Sequence, residues 1–318
     1  MYSRKSIACA FLSLLWSASG AYSEEILEVS QDFVESYKNR ITIEGQFLVD
    51  ASHSRPNDPS EDGDLHAAVR SSVIGLQTVA EIQNAKETPD AVSAMGNAVG
   101  DENGLAFAGV WRIWPEHGGD RQHIQVDGPG QKWTGPGPTN PPHVFEVHPL
   151  TALGNISLLG NLHLIDGYQY KTADDAFQRY ESAHFEIEPL ANDRVRLHMR
   201  MVGYNYVEFL MRLGKRFHRD PDGEFVAAGI YDLKGELLVR DLRVGFVKGS
   251  APDVKQQGLE VGQCLHMIGI PRVDLALVSW RMNHRNDAQY PNVLNWSLPY
   301  EIIGVGVFDE PPRECGED

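Results

Sequence analysis

The apolar residues of this chain fall in short alternating runs, broken at close intervals by turn signals. Side chains in a strand point to opposite faces in turn, so each such run buries one face and needs another layer, or closure, to cover it. In the first half, segments 40–49, 64–71, 77–83, 104–114 and 143–148 read as strands. Residues 88–99 hold one or two helical turns between the third and fourth, with Pro89 suited to the first turn. Five strands with a helical insert after the third predict a small closed barrel of the oligonucleotide/oligosaccharide-binding (OB) type.

A short helix over 30–38 precedes this unit. Beyond it, Thr172 caps a helix over 173–182 that carries Asp174 and Asp175 in its first turn, where the helix dipole favours acids. Segments 184–188, 194–202, 208–213, 224–231, 236–247, 264–270, 275–280 and 301–308 then read as strands. The expectation is a mainly β chain: an OB-like five-stranded barrel over 24–165, then a second β-rich domain, sandwich or barrel, over 166–318. The Gly- and Pro-rich stretch 118–142 reads as a long irregular loop. No internal repeat is apparent; Gly160-Asn-Leu-His163 echoes Gly63-Asp-Leu-His66, but nothing around it aligns.

Residues 1–23 have the pattern of a secretory signal peptide. Arg4 and Lys5 precede an apolar run over 6–16, and Ala21-Tyr-Ser23 offers a cleavage site. The run is shorter than the roughly 20 residues a membrane-spanning helix needs. The expectation is an exported chain, periplasmic or secreted, with no membrane span once processed. Such a compartment permits a disulfide between Cys264 and Cys315, which would pin the acidic tail; a buried Cys264 with a free Cys315 is the alternative. The formal charge of −16 disfavours nonspecific binding to nucleic acid or anionic lipid. Arg194, Arg196, Arg200, Arg212, Lys215, Arg216 and Arg219 form a local basic strip, read as a solvated face that balances nearby acids.

Two motifs carry the chemistry, Asp62-Gly-Asp64-Leu-His66 and Phe145-Glu146-Val-His148-Pro149. Strand alternation puts Asp62, Asp64 and His66 on one face, and Glu146 and His148 on another. If the strands are neighbours, the residues converge. His66, Glu146 and His148 are then candidate ligands of a divalent metal such as zinc, since imidazole and carboxylate suit that ion. Glu81 and Asp64 are candidates for a general base on bound water, and Asp64 also for fixing a histidine tautomer. The same groups read equally as a buried hydrogen-bonded network that sets strand register. No His-Glu-x-x-His, nucleophile elbow, P-loop or dinucleotide fingerprint is present. Trp111, Trp114 and Trp133 are candidates for an aromatic binding rim, with core packing as the competing role.

The Asp-x-Asp-x-His motif, the later Ala80-Glu81-Ile82, Gly109-Val110 and the Glu-x-His-Pro motif occur in an order that resembles a group of exported bacterial OB-like domains. The resemblance covers about residues 40–152. It implies that these residues act as one unit, and the group supplies no activity to transfer. The sequence thus points to an exported binding or accessory protein with a protein or glycan partner. A metal-dependent hydrolase acting on an extracellular polymer or phosphoester is the alternative.

Overall fold

A computed structural model describes residues 24–119, 122–134, 139–284, 295–311 and 313–315. The signal segment 1–23 lies outside the described residues. Strand β1 (Glu24–Ser30) leads into helix α1 (Gln31–Tyr37), capped by the Ser30 hydroxyl, which accepts from the Phe33 amide. Then come β2 (Thr42–Ser52), β3 (Leu65–Arg70), β4 (Gln77–Ile82), α2 (Pro89–Asn97), β5 (Leu105–His117), β6 (Gln122–Ile124), β7 (His143–Leu153) and β8 (Ile156–Ser157). The second half holds β9 (Lys171–Thr172), α3 (Ala173–Ser182), β10 (His184–Pro189), β11 (Arg194–Arg200), β12 (Val207–Asp220), β13 (Gly223–Tyr231) and β14 (Leu237–Val247). It ends with α4 (Ala251–Gln257), β15 (Gln263–Val273), α5 (Leu275–Asn283), β16 (Asn295–Ser297), β17 (Tyr300–Val307) and β18 (Arg313–Glu314).

Strands β2, β3 and β4 form an antiparallel meander, β5 returns beside β2, and β7 lies between β5 and β4. The parallel β4–β7 pairing closes the barrel. Strands β12, β13, β14, β15 and β17 repeat the same order and directions, closed by the parallel β14–β17 and antiparallel β12–β15 pairings. A helix follows the third strand in each, α2 in the first and α4 in the second. Both halves therefore follow the OB plan. The second β-rich unit is a barrel, and the chain contains a topological repeat that its sequence does not announce.

Alternation decides what each barrel encloses. Ile43, Leu65, Ala67, Ala80, Ile82, Trp111, Ile113, Phe145 and Val147 enter the main core from five strands of the first barrel. Phe209, Met211, Val226, Val244, Phe246, Leu265, Met267 and Ile302 do so in the second. The opposite faces of the two walls then meet in a smaller apolar cluster that includes Ile41, Val110, Phe225, Ile268, Ile270 and Ile303.

One expectation is corrected here: residues 275–280 are helical. The Asp274 carboxylate accepts from the Ala276 and Leu277 amides and starts α5. A short apolar run is ambiguous between strand and helix, and the cap decides it. Strand β1 was also not anticipated. It joins a third sheet, in the order β16-β10-β11-β1-β6, pairing with β11 over Glu24–Ser30. On this sheet Arg194 and Arg196 meet Glu28, and Arg196 also meets Glu188. Arg216 and Arg219 both reach Glu224, so these members of the basic strip do balance acids. The Cys264–Cys315 disulfide is present, with Cα atoms 5.8 Å apart, and holds Cys315 against β15, next to the β15–β18 pairing.

The barrels are joined by a reciprocal exchange between their fourth strands, β5 and β15. The Arg112 Nε–H donates to the Pro271 carbonyl at 2.9 Å, and Arg272 Nη1 donates to the Trp111 carbonyl at 2.9 Å. Each arginine thus bonds the residue that precedes the other. Each also faces a glutamate on the fifth strand of its own barrel, Arg112 with Glu146 and Arg272 with Glu301, both at 2.6 Å. Arg272 donates further to the Ile41 and Arg40 carbonyls and lies 3.5 Å above the Trp111 ring. Glycines stand three residues earlier on both strands. A Cβ on Gly109 would meet the Pro149 carbonyl oxygen at 2.8 Å, and one on Gly269 the Ile302 side chain at 2.3 Å. Both arginines have no solvent exposure. Replacing Arg272 with Met should therefore cost about 3 kcal/mol or more in urea unfolding, because buried acceptors and a buried carboxylate lose their donor. Replacing the exposed Arg219 with Ala should cost less than about 1 kcal/mol. Equal losses would refute the junction's role.

Candidate functional site

The two motifs do not lie on neighbouring strands. Strand β4 runs between them, antiparallel to β3 and parallel to β7. Its Glu81 is paired with His66 on one side, and the Ala80–Val147 register sets it beside His148 on the other. Both imidazoles reach the same Glu81 oxygen, His66 Nε2 at 3.5 Å and His148 Nδ1 at 3.3 Å. All these side chains lie on the wall face opposite the barrel core, beneath the junction of the two halves.

The strand expected over 64–71 begins at Leu65, so alternation does not place Asp62 and Asp64. A turn does. The Glu61, Asp62 and Gly63 amides all point at the Asp58 carbonyl, and Gly63 takes a φ of +72°, a left-handed geometry that glycine adopts without strain. Asp62 Oδ1 then accepts from the Asp64 amide and from Asn57 Nδ2. Its other oxygen faces His66 Nε2 at 3.6 Å.

Tyr206 covers the cluster from the entry to the second barrel. Its hydroxyl donates to Asp64 Oδ2 at 2.7 Å, so its oxygen is left to accept from His148 Nε2, also at 2.7 Å. That chain assigns the proton of a neutral His148 to Nε2 and turns the Nδ1 lone pair toward Glu81, at 3.3 Å, and Glu146, at 3.6 Å. A lone pair facing two carboxylate oxygens is repulsive unless a proton or a cation lies between them. Asp64, Tyr206 and His148 are fully buried, and Glu81 and Glu146 nearly so.

The charges point the same way. The carboxylates of Asp62, Asp64, Glu81 and Glu146 crowd this region, and the Arg112 guanidinium that faces Glu146 is shared with Glu116. Burial opposes ionisation of Glu146, but the Arg112 guanidinium and the hydrogen bond with His143 hold it well below the usual carboxylate range. Burial pushes Asp64 up to about 6 against the pull of His148. Burial also disfavours the charged imidazoles, yet Glu81 with Asp62 and Asp64 raises His66 to about 9, and Glu81 with Asp64 and Glu146 raises His148 well above its ordinary value.

The sequence-derived candidates are distributed as follows. Asp64, Glu81 and His148 present ligand atoms within 4.8 Å of one another, and Asp62, Asp64 and His66 form a second such group. Glu146 is in neither, being held by Arg112 at 2.6 Å and His143 at 3.1 Å. Trp111 and Trp114 are buried, the first bonded to the Arg40 carbonyl and the second edge-on to Tyr180, so neither ring offers a stacking face. Trp133 is half-buried, and its backbone amide donates to Asp50. Sequence reasoning missed Arg112, His143 and Tyr206 as members of the cluster. His143 stands two residues ahead of the second motif, whereas Arg112 and Tyr206 have no local signal.

The second barrel supplies a comparison within the chain. Register from Arg272–Glu301 puts Ile303 where the first barrel has His148, Gly245 where it has Glu81, and Phe225 where it has His66. The Arg–Glu pair is common to both barrels, and the His/carboxylate cluster belongs to the first alone. No protein-family model and no curated protein matches the chain.

For the metal-free protein the linkage has a definite sign. The raised His66 value means that the folded state holds this proton more tightly than the unfolded chain. The stability it contributes is complete below its ordinary value of 6.5 and lost as pH rises through about 9. Chelator-treated protein should therefore show a falling melting temperature between those limits, and His66→Gln should flatten the slope. A slope unchanged in the variant would refute the assignment.

Proposed function

We propose that the chain is an exported binding protein whose first barrel holds a buried divalent cation between Asp64, Glu81 and His148. The observation that carries this reading is a set of buried atoms with no hydrogen-bond partner: Asp64 Oδ1, Glu81 Oε2 and His148 Nδ1, with His66 Nε2 beside them. Buried polar atoms are normally paired, and these three belong to residues whose ligand atoms converge. Two ligands of one such ion, each about 2.1 Å from it, lie at most about 4.2 Å apart, and His148 Nδ1 and Glu81 Oε2, 3.3 Å apart, already meet that limit. An imidazole with two carboxylates is a donor set for zinc or another first-row divalent ion. Tyr206, hydrogen-bonded to both Asp64 and His148, holds two of the ligands in orientation.

The ion's role is to tie β4, β7 and the turn ahead of β3 together in the wall of the first barrel, on which Tyr206 rests. A catalytic metal keeps a position open to substrate, whereas this group is enclosed. That enclosure favours the binding protein over the hydrolase. Export rests on the signal pattern over 1–23, and the partner class, an extracellular protein or glycan, on the exported barrel architecture.

Protein purified without chelator should carry tightly held metal by elemental analysis, and Glu81→Gln should lose it while keeping the β-type circular dichroism spectrum. Removing the ion should lower the melting temperature by on the order of 5–10 °C, the effect of losing a ligand present far above its dissociation constant. Absence of metal, with a melting temperature indifferent to chelator and to added zinc, would refute the proposal.

A further inference from the structure

We infer that Asp62, Asp64 and His66 form a second, exchangeable divalent-cation site, coupled to the enclosed one through Asp64. This inference rests on the reading above, because the two groups share that aspartate. The ligand atoms of the three residues lie within 4.8 Å of one another. His66 Nε2 and Asp64 Oδ1 are both buried and have no hydrogen-bond partner, although Asp64 Oδ2 is bonded to Tyr206. The oxygen that Tyr206 leaves unbonded, Asp64 Oδ1, is the one the enclosed ion also uses, so it bridges the two ions. Asp62 is likewise divided: Oδ1 is held by Asn57 Nδ2 and the Asp64 amide, while Oδ2 faces His66. The local turn therefore fixes the carboxylate in place and leaves its second oxygen available as a ligand.

What separates this group from the enclosed one is access. The side chains of Asp62 and His66 keep 16% and 11% exposure, where those of Asp64 and His148 have none. A cleft of about 620 Å³ lies alongside, lined by His53, Asn57 and Lys86 among others. Two of its walls touch the ligands directly. His53 stacks on His66 with ring centroids 5.2 Å apart, and Asn57 bonds Asp62 at 2.9 Å. An ion held here has the solvent-facing side that the enclosed ion lacks. It can exchange with the medium, and it can take water or an oxyanion from the cleft in its remaining positions.

Residues unique to each group make the test. His148 belongs only to the enclosed group and Asp62 only to the outer one. Asn at position 62 keeps an oxygen for the Asn57 and Asp64 donors, so Asp62→Asn is expected to fold. Apo protein titrated with zinc by calorimetry should bind two equivalents, with Asp62→Asn binding one. Chelator should strip the wild type in two phases, of which the faster is missing from Asp62→Asn. One equivalent in the wild type, unchanged in Asp62→Asn and lost in His148→Gln, would overturn the outer site and leave the enclosed ion standing. No binding at all would overturn both. Should His148→Gln fail to fold, Glu81→Gln serves as the variant that loses the enclosed ion.

Discussion

The exchange between Arg112 and Arg272 is the constraint on which the rest of the molecule depends. Each guanidinium crosses the junction to a carbonyl on the other barrel's fourth strand, and each is neutralised from the fifth strand of its own. A buried charge is tolerated only when paired and hydrogen-bonded, so neither barrel can turn against the other without orphaning one. Asp222 adds to this tie from the β12–β13 turn, where one oxygen accepts from the Ile41 and Thr42 amides at the start of β2. The apolar cluster around Ile41, Val110 and Ile270 fills the remaining contact.

Fixing the barrels also fixes the cover of the polar cluster. Tyr206 lies one residue ahead of β12, so its position over Asp64 and His148 follows from how the second barrel docks. The cluster is then closed by chain from the opposite half of the molecule. Its own Arg112–Glu146 pair is the local member of the reciprocal exchange, which couples the chemistry of the site to the junction. The second barrel keeps the matching pair, Arg272–Glu301, and fills the other positions with Phe225, Gly245 and Ile303. A common architecture thus carries a polar site on one side and an apolar face on the other.

Much of the fold was legible because it is encoded locally. Alternation in β2, β3, β4, β5 and β7 and the Thr172 start of α3 are short-range patterns, and their expected starts fell within two residues of the observed ones, whereas β6 lies in the stretch read as an irregular loop. The run over 275–280 was misread because its periodicity is ambiguous and the deciding cap, Asp274, lies outside it. In the site, Asp64, His66, Glu81 and His148 were recognisable as chemistry-bearing residues at strand spacing. The strand between the two motifs was not, since pairing order is a long-range property. Glu146 has the residue type of a metal ligand, but its engagement with Arg112 could be seen only once β5 and β7 were paired.

The sequence by itself determined the β character, the first barrel and the inventory of ionisable groups, because alternation, turns and residue type act over a few neighbours. Tertiary structure decided that the second unit is a barrel of the same plan, that β4 joins the two motifs, and that Tyr206 encloses them. These depend on contacts between residues far apart in the chain. Tyr206 and Asp64 are 142 positions apart, and no local preference specifies their hydrogen bond. It forms because the docked barrels, held together through Arg112 and Arg272, bring the two residues side by side.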